Sequence, residues 1–265
     1  MGRVREVLFR LSAVALLLFM AVIPFSLFAV MAPWFLRGNV VEGVTPEIHR
    51  WHSAQFGSFA VLIGGALLAL LLRPRSTAGL LQFLVAIEVF DVLLTALLPT
   101  RDNFQPPFFF GTLISLAILL ATYPDRRALF RLRSDEPASP IAIALTAIVA
   151  LPLLYDVFRN LSWQFAGVAD EHLYWGHWTN AVIVNIHLVL AGIFVSLRVA
   201  GWRLLSVLTG VTLIFLGAAG IARPEQAGTW GVGGGGLAML GGLGYLTLTV
   251  SDRYRGSHPQ PAIAL

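Results

Sequence analysis

Apolar runs alternate with short polar segments along the whole chain. A helix crossing the roughly 30 Å hydrocarbon core of a bilayer needs about 20 predominantly apolar residues. Eight runs meet that need, over 8–36, 54–72, 80–98, 106–123, 140–158, 179–197, 204–222 and 231–250. The pattern predicts an all-α integral membrane protein with eight transmembrane helices.

The polar landmarks between the runs repeat. His52 stands 21 residues before Arg73, and His177 stands 21 before Arg198. Pro99 and Pro224 close the third and seventh runs, while Asp125-Arg126 and Asp252-Arg253 close the fourth and eighth. Pro24 and Pro152 fall within the first and fifth. Landmarks in the same order at a nearly constant offset predict a duplication. The expected organisation is a first four-helix module over 1–124, a connector over 125–139, a second module over 140–252 and a disordered tail over 253–265. Four spans per module make the repeats parallel, related by a pseudo-twofold axis along the membrane normal. MGRVREVLFR before an apolar run has the layout of a secretory signal, but its pairing with the fifth run predicts a retained helix.

Composition supports the membrane reading and removes several functions. The chain of 265 residues is 57% hydrophobic and only 12% charged, against about 25% charged in soluble domains. Every basic side chain is arginine, so no Schiff-base lysine for retinal exists. Without cysteine there is no disulfide, thiolate metal site, iron–sulfur cluster or covalently attached haem. The net charge of +4 comes from arginines in loops, where they meet lipid headgroups, and nucleic-acid binding is not expected. Thirteen of the 18 arginines fall at the N-terminus, in the 2–3, 4–5 and 6–7 loops and in the tail. The positive-inside rule then predicts both termini in the cytoplasm and a multi-pass protein of a bacterial-type cytoplasmic (inner) membrane. Arg159 is counted among the five on the opposite side. Six of the seven tryptophans fall on that opposite side as well, forming an interfacial belt.

Histidines concentrate in two places on that outer side, PEIHRWHSAQ at 46–55 and DEHLYWGHWTN at 170–180. Thr45, Pro46 and Glu47 read as an N-cap, a first-turn proline and a first-turn acid, and Asp170 is the corresponding cap in the second module. Under the pseudo-twofold, His52 and His177 lie at equal depth. With His49 and His172 beside them they are candidate ligands of a b-type haem. Glu47 and Glu171 are candidate ligands for a divalent metal. The plainer reading is that these histidines and tryptophans anchor helix ends at headgroup level.

A second constellation lies deeper. Glu88 and Asp91 are one turn apart in LLQFLVAIEVFDVLLTAL, and His187 reaches about the same depth in the sixth run, with Asn185 on another face. An ionisable group at the bilayer centre costs about 2.5–3.5 kcal/mol on insertion scales, so it faces the protein interior and has a partner or a task. The module mates of His187 and Glu88 are Leu62 and Leu213, which predicts one asymmetric central site. Glu88, Asp91 and His187 are the candidate catalytic or proton-handling residues, for a proton, a cation or a quinone. The plainer reading is a structural tie between modules. The glycines of GVGGGGLAMLGGLGY lie within an apolar run and follow no strand, so they suit close helix approach rather than phosphate binding.

Two tandem four-helix modules with histidines opening the second and sixth helices resemble the architecture of haem A synthase. EIHR at 47–50 is similar to that family's glutamate–histidine–arginine pattern. The chain departs from it in two respects: the fourth and eighth runs hold no histidine, and the glutamate stands one residue closer to the histidine. No family is assigned on this basis. Three functions stay open: a redox protein using haem b or quinone, a proton-coupled carrier of a small molecule or ion, and a non-catalytic accessory or assembly subunit of a membrane complex.

Overall fold

The computed structural model describes residues 2–22, 34–35, 49–98, 106–131, 136–168 and 177–257. Its long helices are α1 (Gly2–Val22), α2 (Arg50–Leu72), α3 (Ala78–Leu97), α4 (Pro106–Thr122), α5 (Pro140–Ala166), α6 (His177–Ser196), α7 (Trp202–Ala222) and α8 (Gly231–Ser257). No strand occurs among the described residues. Six of these helices, α2, α3 and α5 to α8, are long and apolar enough to cross a membrane. They mark a multi-pass membrane protein. In α4 the apolar stretch Gly111–Thr122 is shorter, and α1 carries Arg3, Arg5, Glu6 and Arg10 in its first turns.

Each half of the chain packs as a ring of neighbours: α1 on α2, α2 on α3, α3 on α4 and α4 on α1, then α5 on α6, α6 on α7, α7 on α8 and α8 on α5. The halves meet where α2 and α3 pack on α6 and α7. At that seam the Phe83 ring of α3 meets the Phe194 ring of α6 edge-on at 5.9 Å, and the Leu208 side chain of α7 lies against Gly65 of α2. Lipid tails are as apolar as leucine, so packing fit and interhelical hydrogen bonds hold such helices together. The closest fit is between α7 and α8. A Cβ on Gly217 would stand 2.5 Å from the Gly235 carbonyl oxygen, and one on Gly242 2.5 Å from that of Gly210. Two backbone crossings, two turns apart, therefore require glycine. Polar ties add to this fit, with the Thr146 hydroxyl meeting the Gly192 carbonyl at 3.1 Å, the Ser196 hydroxyl at 3.0 Å and the Tyr245 hydroxyl at 2.8 Å.

Several boundaries differ from those expected. The second helix begins at Arg50, with His49 at its cap position, while Thr45, Pro46 and Glu47 lie outside the described residues, as do Pro24 and Asp170. Its middle widens into a π turn, Ala60–Gly64. Helix α5 does not stop at 158. It runs two further turns to Ala166, where Gly167 adopts a left-handed conformation (φ 59°) and the Val168 N–H closes on the Trp163 carbonyl. Arg159 thus belongs to a helix interior and not to a loop. Its N-terminus is legible in sequence: Pro140 occupies the first turn and the Ser139 hydroxyl accepts from the Ala142 N–H. Helix α8 continues to Ser257, into the segment expected to be a disordered tail, because nothing before Gly256 and Pro259 breaks it.

Candidate functional site

Glu88, Asp91 and Thr95 follow one another at helical spacing on a single face of α3. Glu88 lies roughly 15 Å along a span of roughly 30 Å, and His187 is equally deep in α6. Opposite Asp91, the His187 Nε2 stands 3.0 and 3.1 Å from the two carboxylate oxygens. This pair crosses the seam between the halves. His187 is almost wholly buried (1% exposed) while Asp91 is 22% exposed. Glu88 accepts a hydrogen bond from the Thr112 hydroxyl of α4 at 3.0 Å, and the Thr95 hydroxyl donates to the Asp91 carbonyl at 2.7 Å.

The opposite ring nitrogen, His187 Nδ1, is buried and has no hydrogen-bond partner among the described residues. A neutral imidazole donating through Nε2 leaves Nδ1 as an unused acceptor, and an imidazolium leaves it as an unused donor. Neither protonation state is fully satisfied. The Phe59 ring meets the imidazole edge-on at 5.5 Å between centroids, and the π turn of α2 begins at the next residue. Such turns accompany functional sites in many helices. Two carboxylates and one imidazole in a low-dielectric setting cannot all carry charge cheaply.

The other expected ligands are placed only in part. His52 is buried (3% exposed), its Nδ1 is 3.2 Å from the Gln55 side-chain oxygen, and the His49 ring lies 6.5 Å away. Around them, the Trp51 ring packs edge-on against Trp230 at 5.3 Å, the Trp51 backbone N–H donates to the Gln226 side-chain oxygen, and the Trp34 indole donates to Ser53. This wraps the start of α2 in aromatic groups. His177 opens α6; Glu47, Glu171 and His172 lie outside the described residues. Among the described residues no three histidine, aspartate or glutamate side chains form a group that could hold a metal ion.

A further cluster escaped the sequence reading. Asp156 of α5 is 4% exposed. Its carboxylate pairs with Arg159 one turn on and accepts from the Asn185 amide at 2.8 Å and the Trp230 indole at 3.2 Å. Arg159 also donates to the Gly228 and Thr229 carbonyls and lies 5.0 Å from the centre of the Trp163 ring. The available signal was the pair Asp156 and Arg159, three apart in LLYDVFRNLSW. Taking Arg159 as a loop residue hid it.

No protein-family model matches the chain, and neither curated proteins nor solved structures show significant similarity to it.

Proposed function

We propose that this multi-pass protein handles protons at the bilayer centre through Glu88, Asp91 and His187, in the service of proton-coupled transport of a small molecule or ion. One observation carries the reading: the Asp91–His187 pair bridges α3 and α6, the helices along which the two halves meet. A change of protonation there alters the attraction between the halves. Proton uptake and a shift of one half against the other are thereby linked, which is what a carrier requires. The reading takes the chain as eight spans in two parallel modules, with both termini in the cytoplasm of an inner membrane. The matching ring of contacts in each half supports the duplication.

The test is a pH jump applied to the protein on a solid-supported membrane. A transient charge displacement is expected for the wild type, with loss of it in Glu88→Gln and Asp91→Asn. Undiminished currents in both variants would overturn the reading.

A second reading is favoured by the burial of His52, since a headgroup anchor belongs at the surface. His52 and His177 would then be axial ligands of haem b, as in a quinone-linked redox protein or a subunit of a membrane complex. His49 and His172 would be neighbouring donors, with Glu47 and Glu171 available to a metal. A reduced-minus-oxidised spectrum of protein taken from its native membrane tests this. A b-haem band that disappears in His52→Ala supports it, and a featureless spectrum rejects it.

A further inference from the structure

Helix α3 is fastened unevenly along its length. At its start, a Cβ on Gly79 would stand 2.6 Å from the Ala200 carbonyl oxygen and 2.6 Å from the Val199 side chain, so the backbone of its first turn lies directly on the loop between α6 and α7. Gly201 of that loop has a left-handed conformation (φ 94°) and lies against the Leu80 side chain. One turn on, the Gln82 amide donates to the Leu129 carbonyl at 2.9 Å and to the Arg131 carbonyl at 3.1 Å, and the Phe83 and Phe194 rings meet. Further along comes Asp91 with its bond to His187. Beyond it, Leu94 and Leu98 join Val157 of α5 and Val182 of α6 in a small buried cluster separate from the main core. Among the described residues no hydrogen bond or ion pair ties this last stretch of α3 to another helix.

The two ends differ in what it takes to part them. Moving the Gly79 end away breaks the Gln82 hydrogen bonds and strands their buried donor and acceptors, which is costly. The Leu98 end is held by aliphatic packing alone, and lipid tails are as apolar as leucine, so no hydrophobic driving force keeps it closed. The Asp91–His187 pair is the last polar tie along α3 before that end. Titratable groups around Asp91 are His187 on α6 and Glu88 on its own helix, with Glu88 held by the Thr112 hydroxyl of α4. Among the described residues no group of α2, α4 or α5 makes an ion pair or hydrogen bond with Asp91. Cancelling the attraction within this one pair therefore frees one end of α3 and leaves the other pinned, which is the mechanical condition for a hinge.

We propose that α3 pivots on its Gly79 end and that Leu94, Leu98, Val157 and Val182 form a gate over the Asp91–His187 pair, which opens once an added proton takes the carboxylate's charge. The inference rests on the reading of Glu88, Asp91 and His187 as a proton site and adds the direction of access. With both termini in the cytoplasm, the Leu98 end of α3 faces outward, so the pair exchanges protons with the outer side through this gate.

The chain has no cysteine, so introduced thiols report without background in full-length protein in proteoliposomes. A charged, water-soluble maleimide is expected to label Leu94→Cys and Leu98→Cys about tenfold faster once Asp91→Ala removes the bond to His187, the equivalent of one lost hydrogen bond to a charged group. Phe83→Cys, near the pinned end, is expected to keep its slow rate in the same background. No acceleration at either outer thiol, or equal acceleration at Phe83→Cys, overturns the gate. A second measurement needs no change at Asp91. A short, reducible cross-link between Leu94→Cys and Val182→Cys is expected to abolish the pH-jump current until it is reduced, whereas one between Phe83→Cys and Phe194→Cys leaves the current intact. Current that survives the first link, or is lost with the second, overturns the pivot and leaves the proton site standing. Absence of current in the wild type removes instead the proton reading beneath it.

Discussion

Asp156 and Asp91 are both aspartates inside apolar helices, yet their surroundings have opposite character. Asp156 has an arginine and two neutral donors around one carboxylate, within a half of the molecule whose α7 and α8 touch backbone to backbone. Asp91 shares a single imidazole nitrogen, has Glu88 one turn away, and sits on the seam between the halves. A saturated buried charge is fixed, because every proton change breaks several bonds at once. The Asp91 set has two acids and one imidazole, whose Nδ1 has no hydrogen-bond partner among the described residues. The difference separates a carboxylate enclosed by its partners within one half from a pair that crosses the seam, on which the proposed proton handling rests.

Removing the fixed charge has the largest expected effect. Asp156→Leu leaves Arg159 uncompensated and strands two donors, and destabilisation of about 3–5 kcal/mol follows. Unfolding in mixed micelles measures it, and wild-type stability would erase the contrast. Next is the frame that holds that site. Gly217→Ala drives a methyl group into the Gly235 carbonyl, 2.5 Å from where its Cβ stands, for a loss of about 1–3 kcal/mol by the same assay. Asp91→Asn keeps the shape of the responsive site and removes its charge. Its stability cost is expected to stay below about 1 kcal/mol, while the pH-jump current disappears; a large stability loss would make Asp91 a structural residue like Asp156. The smallest effect belongs to Glu6→Gln. Glu6 pairs with Arg10 and Arg75 at 3.0 and 2.9 Å near exposed ends of α1 and α2, and such surface pairs contribute about 0–1 kcal/mol.

What the sequence disclosed follows from how strongly each feature is written locally. Apolar runs of membrane-crossing length are local, so the helices and their order could be read directly. So could the positions of Glu88 and His187 midway along their helices, which depend only on rise per residue. Their partners could not. The bond between Asp91 and His187 spans 96 positions, and the Thr112 hydroxyl on Glu88 comes from another helix. Boundaries failed where polar residues continue a helix. Arg159 and Asn160 look like a loop, yet α5 carries them inward because Asp156, Gly228 and Thr229 receive the guanidinium and the Asn160 amide bonds back to the Asp156 carbonyl. Likewise the π turn of α2 has no local signature in AVLIG, being a matter of packing against α7 and α1.

The most direct test of the contrast is an infrared pH titration of the protein in a lipid bilayer, reading the carbonyl stretch of protonated carboxylic acids. Stepping the pH is expected to give a difference band that is lost or altered in Glu88→Gln and Asp91→Asn and unchanged in Asn185→Ala, which perturbs only the Asp156 network. A band that survives both substitutions, or one that follows the Asp156 network instead, would contradict the assignment of fixed and responsive charge.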